Sequence, residues 1–277
     1  MSRSLSVWTR KAIRWLKPQS ETVTVQVPDR EAGPGRRQVI PRVVFQTAES
    51  RAVHPTHAKS IEKFRDLNPD LGFVLFDSSE RDSYMLSQWG EHPIYPVYQR
   101  AILGQMRADI FRYCIVFERG GYYFDFNKGC ERSLTTLHPR EAEGLISYEK
   151  NPELIFPHVA VAKKLGNPFN LVLQWGFGFK KRHPFLGKVI DRIVEIEPFF
   201  RDQVFLRPKE ALLTMSAPGV FTGVFREYVG QHGIGEITEA GVDFHGKGIF
   251  RLRGSKLLLK NENYYGKLSS AKIISEQ

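Results

Sequence analysis

The chain has 277 residues, 42% of them apolar and 12% aromatic, with a formal net charge of +10; that is enough apolar material for one large core or a core with a smaller appendage. The charge would suit a nucleic-acid binder, but residues 1–42 hold nine Lys or Arg against three acidic residues, leaving 31 against 27 for the remainder. The body is only mildly basic, and no nucleic-acid partner is expected.

The basic excess lies at the start, where Leu5, Trp8, Ala12, Ile13, Trp15 and Leu16 share one helical face and Arg10, Lys11, Arg14 and Lys17 the other. Residues 4–17 thus have the pattern of an interfacial helix on an anionic membrane surface, and equally that of a helix packed on the domain or a frayed terminus. The segment lacks the continuous apolar stretch of a signal peptide or membrane span. Glu21 to Arg37, with Pro28, Gly33, Pro34 and Gly35, reads as a linker or an irregular lead-in to the strand that follows. Residues 1–37 are therefore a basic amphipathic segment and linker, and 38–277 the folded domain.

From there the pattern predicts strand 38–46, helix 56–66, strand 72–77, helix 79–89 and one long helix 97–118 that stops at Gly120-Gly121. Its apolar residues occupy nearly the whole circumference, as in a buried helix, and Asp109 and Arg112 share one face as an ion pair or as a polar pair held for a ligand. An aromatic strand, 122–126, then delivers Asp125 and Asn127, with Lys128-Gly129 opening a turn. Oxygen donors at i and i+2 of an extended segment point the same way and suit one divalent cation that keeps open positions for phosphate oxygens. Strand 144–149, apolar segments near 158–162 and helices near 168–176 and 184–197 follow. From 204 onward short strands and turns are expected. The glycine-rich stretch with Lys247, Arg251, Arg253 and Lys256 reads as solvated loops, a basic lid over a diphosphate being the other reading. Cys114 and Cys130 have no metal-type spacing and fit a reduced, intracellular environment. No P-loop, zinc-protease helix or G-x-S-x-G elbow is present.

The run from Ala108 to Asn127, A-D-I-F-R-Y-C-I-V-F-E-R-G-G-Y-Y-F-D-F-N, resembles the core signature of the DXD-containing sugar transferases, roughly A-D-x-x-R-Y-x-x-L-x-x-x-G-G-x-Y-x-D-x-D. Ile40 to Thr47 resembles that family's opening strand, and Asn68-Pro69-Asp70 with Phe73 to Asp77 its next block. His183-Pro184-Phe185-Leu186 and Ser216-Ala217-Pro218-Gly219-Val220 resemble two later ones, so the likeness runs in order from about residue 40 to 225.

This resemblance implies an α/β, GT-A-like, Rossmann-type nucleotide-sugar-binding domain with a mixed sheet. It implies a retaining glycosyltransferase that moves a sugar from a UDP- or GDP-sugar to a glycan or lipid-linked acceptor in surface polysaccharide synthesis. Cytoplasmic placement at the inner membrane face goes with that reading. Asp109 and Arg112 are carried over as contacts to nucleotide and donor, Asp125 as a donor and metal contact, and Asn127 as the second metal position for Mn2+ or Mg2+. Phe45, Gln46 and Thr47 stand where the first strand meets the base, and Tyr123 belongs to the donor-binding set. Asp125, Asn127 and Arg112 would stabilise the leaving diphosphate. The resemblance also implies a further metal ligand from the C-terminal region, for which His245, Asn261, Glu262 and Asn263 are candidates, each reading equally as an ordinary loop residue. Asn127 departs from the pattern by offering a neutral amide oxygen, which opens a second reading: a non-catalytic nucleotide-sugar or membrane-surface binding module.

Overall fold

A computed structural model describes residues 23–152, 157–254 and 270–276. The expected interfacial helix at 4–17 and the candidate ligands Asn261, Glu262 and Asn263 lie outside them.

In chain order the elements are β1 (Val25–Gln26), β2 (Val43–Thr47), β3 (Ala52–Val53), α1 (Pro55–Asp66), β4 (Gly72–Phe76), α2 (Ser78–Trp89), α3 (Ile94–Arg100), α4 (Gly104–Arg119), β5 (Gly121–Phe124) and β6 (Gly129–Cys130). Then come β7 (Gly144–Pro152), α5 (Val159–Ala162), β8 (Asn170–Val172), β9 (Gly176–Phe179), α6 (Pro184–Phe200), α7 (Pro208–Met215), α8 (Pro218–His232), β10 (Ile237–Val242) and β11 (Gly248–Ile249).

The central sheet runs β10-β7-β9-β5-β2-β4, with β8 also paired to β7. Strands β4, β2 and β5 are mutually parallel, β10 is parallel to β7, and β9 runs against both of its neighbours. This is the mixed α/β sheet expected. Side chains alternate across it. Phe45, Tyr123, Phe177 and Phe179 join α4, α6 and α8 in one apolar layer. Val44, Tyr122, Phe124 and Leu145 join Ile61 and Phe64 of α1 in the other. Both faces are covered, so the strand ends are where the sheet meets solvent.

Three expectations need correction. The long helix 97–118 is two helices, α3 and α4, because a distant segment docks at the break: Ala101 is extended and bridges Ile274, and Ile102 N donates to Ile273 O at 3.1 Å. Residues 168–176 are not a helix but lead from β8 into β9. Glycine is required there by the neighbouring strand, since a Cβ on Gly178 would lie 2.4 Å from Tyr122 Cδ1 and one on Gly176 2.9 Å from Phe124 Cε1. Beyond 204 the chain builds α7 and α8, each opened by a proline in its first turn, where the missing N–H costs nothing.

Candidate functional site

The register sets the site. Phe45 pairs with Tyr123, Tyr123 with Phe177, and Phe124 with Gly176, so β2, β4 and β5 end at the same edge where β9 begins. Beyond that edge stand Asp125 and, from the opposite direction, Gln174 and Trp175; Asp125 N donates to Trp175 O at 2.8 Å. The exit of parallel strands is the usual ligand position in such sheets.

Behind Asp125 lies a closed polar cluster. Arg112 Nη2 is 2.7 Å from Asp109 Oδ1 and 3.2 Å from Asp125 Oδ1, with the guanidinium stacked 4.7 Å from the Tyr123 ring centroid. Arg112 Nη1 donates to Gln174 O, Gln174 Nε2 to Asp109 Oδ1 at 2.8 Å, and Ser216 Oγ to Asp109 Oδ2 at 3.0 Å. Tyr123 Oη donates to Asp125 Oδ1 at 3.1 Å. Asp109 and Arg112 are each 4% exposed. Burial pushes the Asp109 carboxyl up to about 6 against the pull of Arg112. Arg112 is thus committed to two carboxylates, and its visible consequence is the fixed position of Asp125. Asp125 itself remains partly open.

The three opening-strand residues sit at the same edge but largely turned inward. The Phe45 ring lies in the α4-side layer near Phe76. Thr47 Oγ1 donates to Phe76 O and accepts from Arg81 Nη1. Gln46 is 1% exposed, and its Oε1 has no hydrogen-bond partner among the described residues. Glu118 is taken up by the Tyr84 hydroxyl and lies beside Arg119.

Three participants carry no role in the sequence reading: Gln174, Ser216 and Lys128. Ser216 had a signal, since it opens the block Ser216-Ala217-Pro218, and the structure places it at the join of α7 and α8 against Asp109. Gln174 had none, being fixed only by the pairing of β9 with β5. Lys128 follows the motif directly. Its backbone N–H donates to Asp125 O at 2.8 Å, its side chain is buried, and its Nζ sits 3.2 Å from the Phe250 ring centroid and 6.0 Å from that of Trp175. Burial lowers its pKa, with Asp125 and Glu149 pulling the other way. Glu149, whose carboxyl is raised by burial, and Asp243 complete the charged surroundings.

The segment after β10 is not a free solvated loop over this stretch. Asp243, Phe244 and His245 all adopt positive φ, a costly backbone course for non-glycine residues. It is held by Phe244 N donating to Ser147 Oγ and by the Phe244 ring against Phe124 and Trp175. β11 then pairs with β6, and Leu252 N donates to Asn127 O at 2.9 Å. Residues 247–252 therefore lie directly against the motif.

Among the described residues the donor set is poor for a resident divalent cation. Asp125 Oδ1 is already engaged by Arg112 and Tyr123, Asn127 supplies a neutral amide, and a buried ammonium follows it. Among the described residues no group of three His, Cys, Asp or Glu that could hold a metal ion comes together. Nor is any helix among them long and apolar enough to cross a membrane.

The family described as a glycosyltransferase sugar-binding region containing a DXD motif matches residues 55–143, the stretch that includes Asp109, Arg112, Asp125 and Asn127. A mannosyl phosphorylinositol ceramide synthase of Saccharomyces cerevisiae is 32% identical over 104 residues, 36% of this chain and 26% of that one. A second one of that yeast is 24% identical over 70% of this chain and 44% of its own length. An initiation-specific alpha-1,6-mannosyltransferase of Schizosaccharomyces pombe is 22% identical over 69% of this chain and 49% of its own. The chain thus spans half or less of the length of these relatives. Among solved structures, PaToxG glycosyltransferase aligns at a TM-score of 0.49 with 16% identity, covering 69% of this chain and 70% of that one. Residues 55–143 of this chain are thus similar to the glycosyltransferase sugar-binding region containing the DXD motif.

Proposed function

We propose that the chain is a retaining glycosyltransferase on a GT-A-like domain, taking a sugar from a UDP- or GDP-linked donor to a glycan or lipid-linked acceptor in surface polysaccharide synthesis. The observation that carries this reading is Asp125. It is a partly open carboxylate at the exit of the central strand β5, locked by Arg112 and Tyr123, inside the matched segment. Mannose heads the candidate sugars because the relatives are named for mannosyl transfer.

Breaking the bond between sugar and diphosphate develops negative charge on the leaving phosphate and positive charge on the sugar. A fixed carboxylate beside the sugar and cationic groups beside the phosphate stabilise that separation best where water is excluded. Asp125 supplies the first, and its fixed position costs no reorganisation at the moment of reaction. The acceptor hydroxyl attacks the face from which the diphosphate leaves, and the leaving phosphate takes its proton, so no separate general base is assigned. The motif offers a manganese or magnesium ion one carboxylate and one amide oxygen, so such an ion would have to arrive with the donor's diphosphate.

A panel of UDP- and GDP-sugars tests the reading by thermal shift, since a ligand of the folded state raises apparent stability. One nucleotide class is expected to raise the midpoint, with sugar transfer or slow hydrolysis accompanying it. The non-catalytic reading, which Asn127 motivates, requires the same shift with no cleavage of donor by any acceptor tried.

A further inference from the structure

Lys128 is an unusual place to leave a charge. The side chain is 8% exposed, yet no hydrogen bond or ion pair joins its ammonium to any described residue; its close neighbour is the face of Phe250. A buried ammonium is normally paired with a carboxylate, because desolvation otherwise costs on the order of several kcal/mol per ion. An aromatic face attracts a cation without cancelling its charge. The arrangement therefore places a partly desolvated ammonium beside the strand end that carries Asp125.

The other cation of the site is not available for this duty. Arg112 is spent on Asp109 and Asp125 and on the carbonyl oxygens of Gln174 and Ala108. The second motif position, which in a D-x-D pair would add a negative charge to attract a metal, is the neutral Asn127. Where the pattern has a second carboxylate this chain has a neutral amide, and an ammonium stands at the next residue, so the motif opposes a diphosphate with one negative charge fewer, Asp125 and Glu149 remaining as the nearby carboxylates.

We propose that Lys128 is the donor-phosphate contact of this site, its ammonium supplying the positive charge that a divalent cation would otherwise bring, so that diphosphate binding and donor cleavage proceed without added metal. This rests on the transferase reading for its substrate, but the binding part stands on Lys128 alone. Phe250, 67% exposed, is the group in front of the ammonium, and a diphosphate reaches Nζ beside or in place of its ring.

The test is calorimetric binding of inorganic pyrophosphate, UDP and GDP to the full chain in EDTA and then in manganese, for wild type, Lys128→Met and Lys128→Arg. Wild type is expected to bind at least one of these in EDTA with affinity within about threefold of that in manganese. Lys128→Met should weaken this at least tenfold, and Lys128→Arg should restore most of it. Lys128→Met should also melt no lower than wild type, since it removes a buried charge that has no ion-pair partner among the described residues; a purely structural lysine would lower the midpoint instead. Binding that appears only in manganese, binding indifferent to Lys128→Met, or no binding of any of the three overturns the proposal. Donor cleavage abolished by Asp125→Asn yet strictly manganese-dependent sinks the role of Lys128 and leaves the transferase reading intact. Lysine-dependent diphosphate binding with no sugar transfer does the reverse.

Discussion

Ser216 donates its hydroxyl to Asp109 Oδ2 at 3.0 Å, joining two residues 107 positions apart and tying the start of α8 to the buried face of α4. The bond stabilises a carboxylate that burial disfavours. Ser216→Ala is expected to cost about 1–2 kcal/mol in urea unfolding, the usual loss when a buried hydrogen bond to a charged group is removed. An unchanged midpoint would show that the bond contributes nothing.

Arg112 joins Asp109 to Asp125, so its removal strands two carboxylates, one of them fully enclosed. Arg112→Met should destabilise the fold by about 3–5 kcal/mol. Arg112→Lys should recover only part of this, because one ammonium can face the two carboxylates that Nη2 meets but cannot also supply the Nη1 and Nε bonds to the carbonyl oxygens of Gln174 and Ala108. Urea denaturation of the two variants checks the order, and equal loss in both would remove the geometric argument.

His183 caps α6 with Nδ1 accepting from Phe185 N at 3.2 Å, and burial lowers its pKa from 6.5 to about 4. A depressed folded-state pKa means that the unfolded chain takes up the proton first as pH falls. The stabilisation is full above pH 6.5 and is lost as pH drops through about 4, a loss of about 3 kcal/mol from this residue. His183→Asn keeps an acceptor at the cap without the titration. Its unfolding free energy should fall less steeply than that of wild type over this window. His57, also lowered to about 4 by burial, contributes the same slope to both proteins.

Gly178 faces Tyr122 across the β5–β9 pair with no room for a methyl group. Gly178→Ala should cost about 1–3 kcal/mol through overpacking. Gly223, in α8, is the opposite case: a methyl group added there would meet nothing within 4 Å. Gly223→Ala should therefore be neutral or stabilising by up to about 1 kcal/mol through helix propensity. Thermal midpoints of the two variants should move in opposite directions or differ by several degrees.

The site was legible where its chemistry is local. Asp109 and Arg112 sit three apart on one helix, the glycine pair ends that helix, and alternation along Tyr122-Tyr123-Phe124 sends successive rings to opposite layers, so Asp125 follows from the pattern. What escaped was set at a distance. Gln174 reaches Asp109 only because β9 pairs with β5, and the glycines that permit that pairing are demanded by Tyr122 and Phe124, not by their own neighbours in sequence. The break between α3 and α4 depends on Ile273 and Ile274, more than 170 residues away. Helices α7 and α8 did carry a local signal, Pro208 and Pro218 at their first turns. Lys128 was visible as a residue but not as a buried one; its setting depends on Trp175 and Phe250 arriving from two later segments.

The role of Asp125 in cleaving a nucleoside diphosphate sugar is measured most directly by release of nucleoside diphosphate from GDP-mannose and a set of UDP-hexoses. Wild type should release product from at least one donor, faster when an acceptor glycan is present. Asp125→Asn, matched to wild type in thermal midpoint, should be slower by on the order of a hundredfold or more, as for loss of a preorganised charge at the reacting centre. Equal rates in the two proteins, or a wild type that binds donor and never cleaves it, would contradict that role.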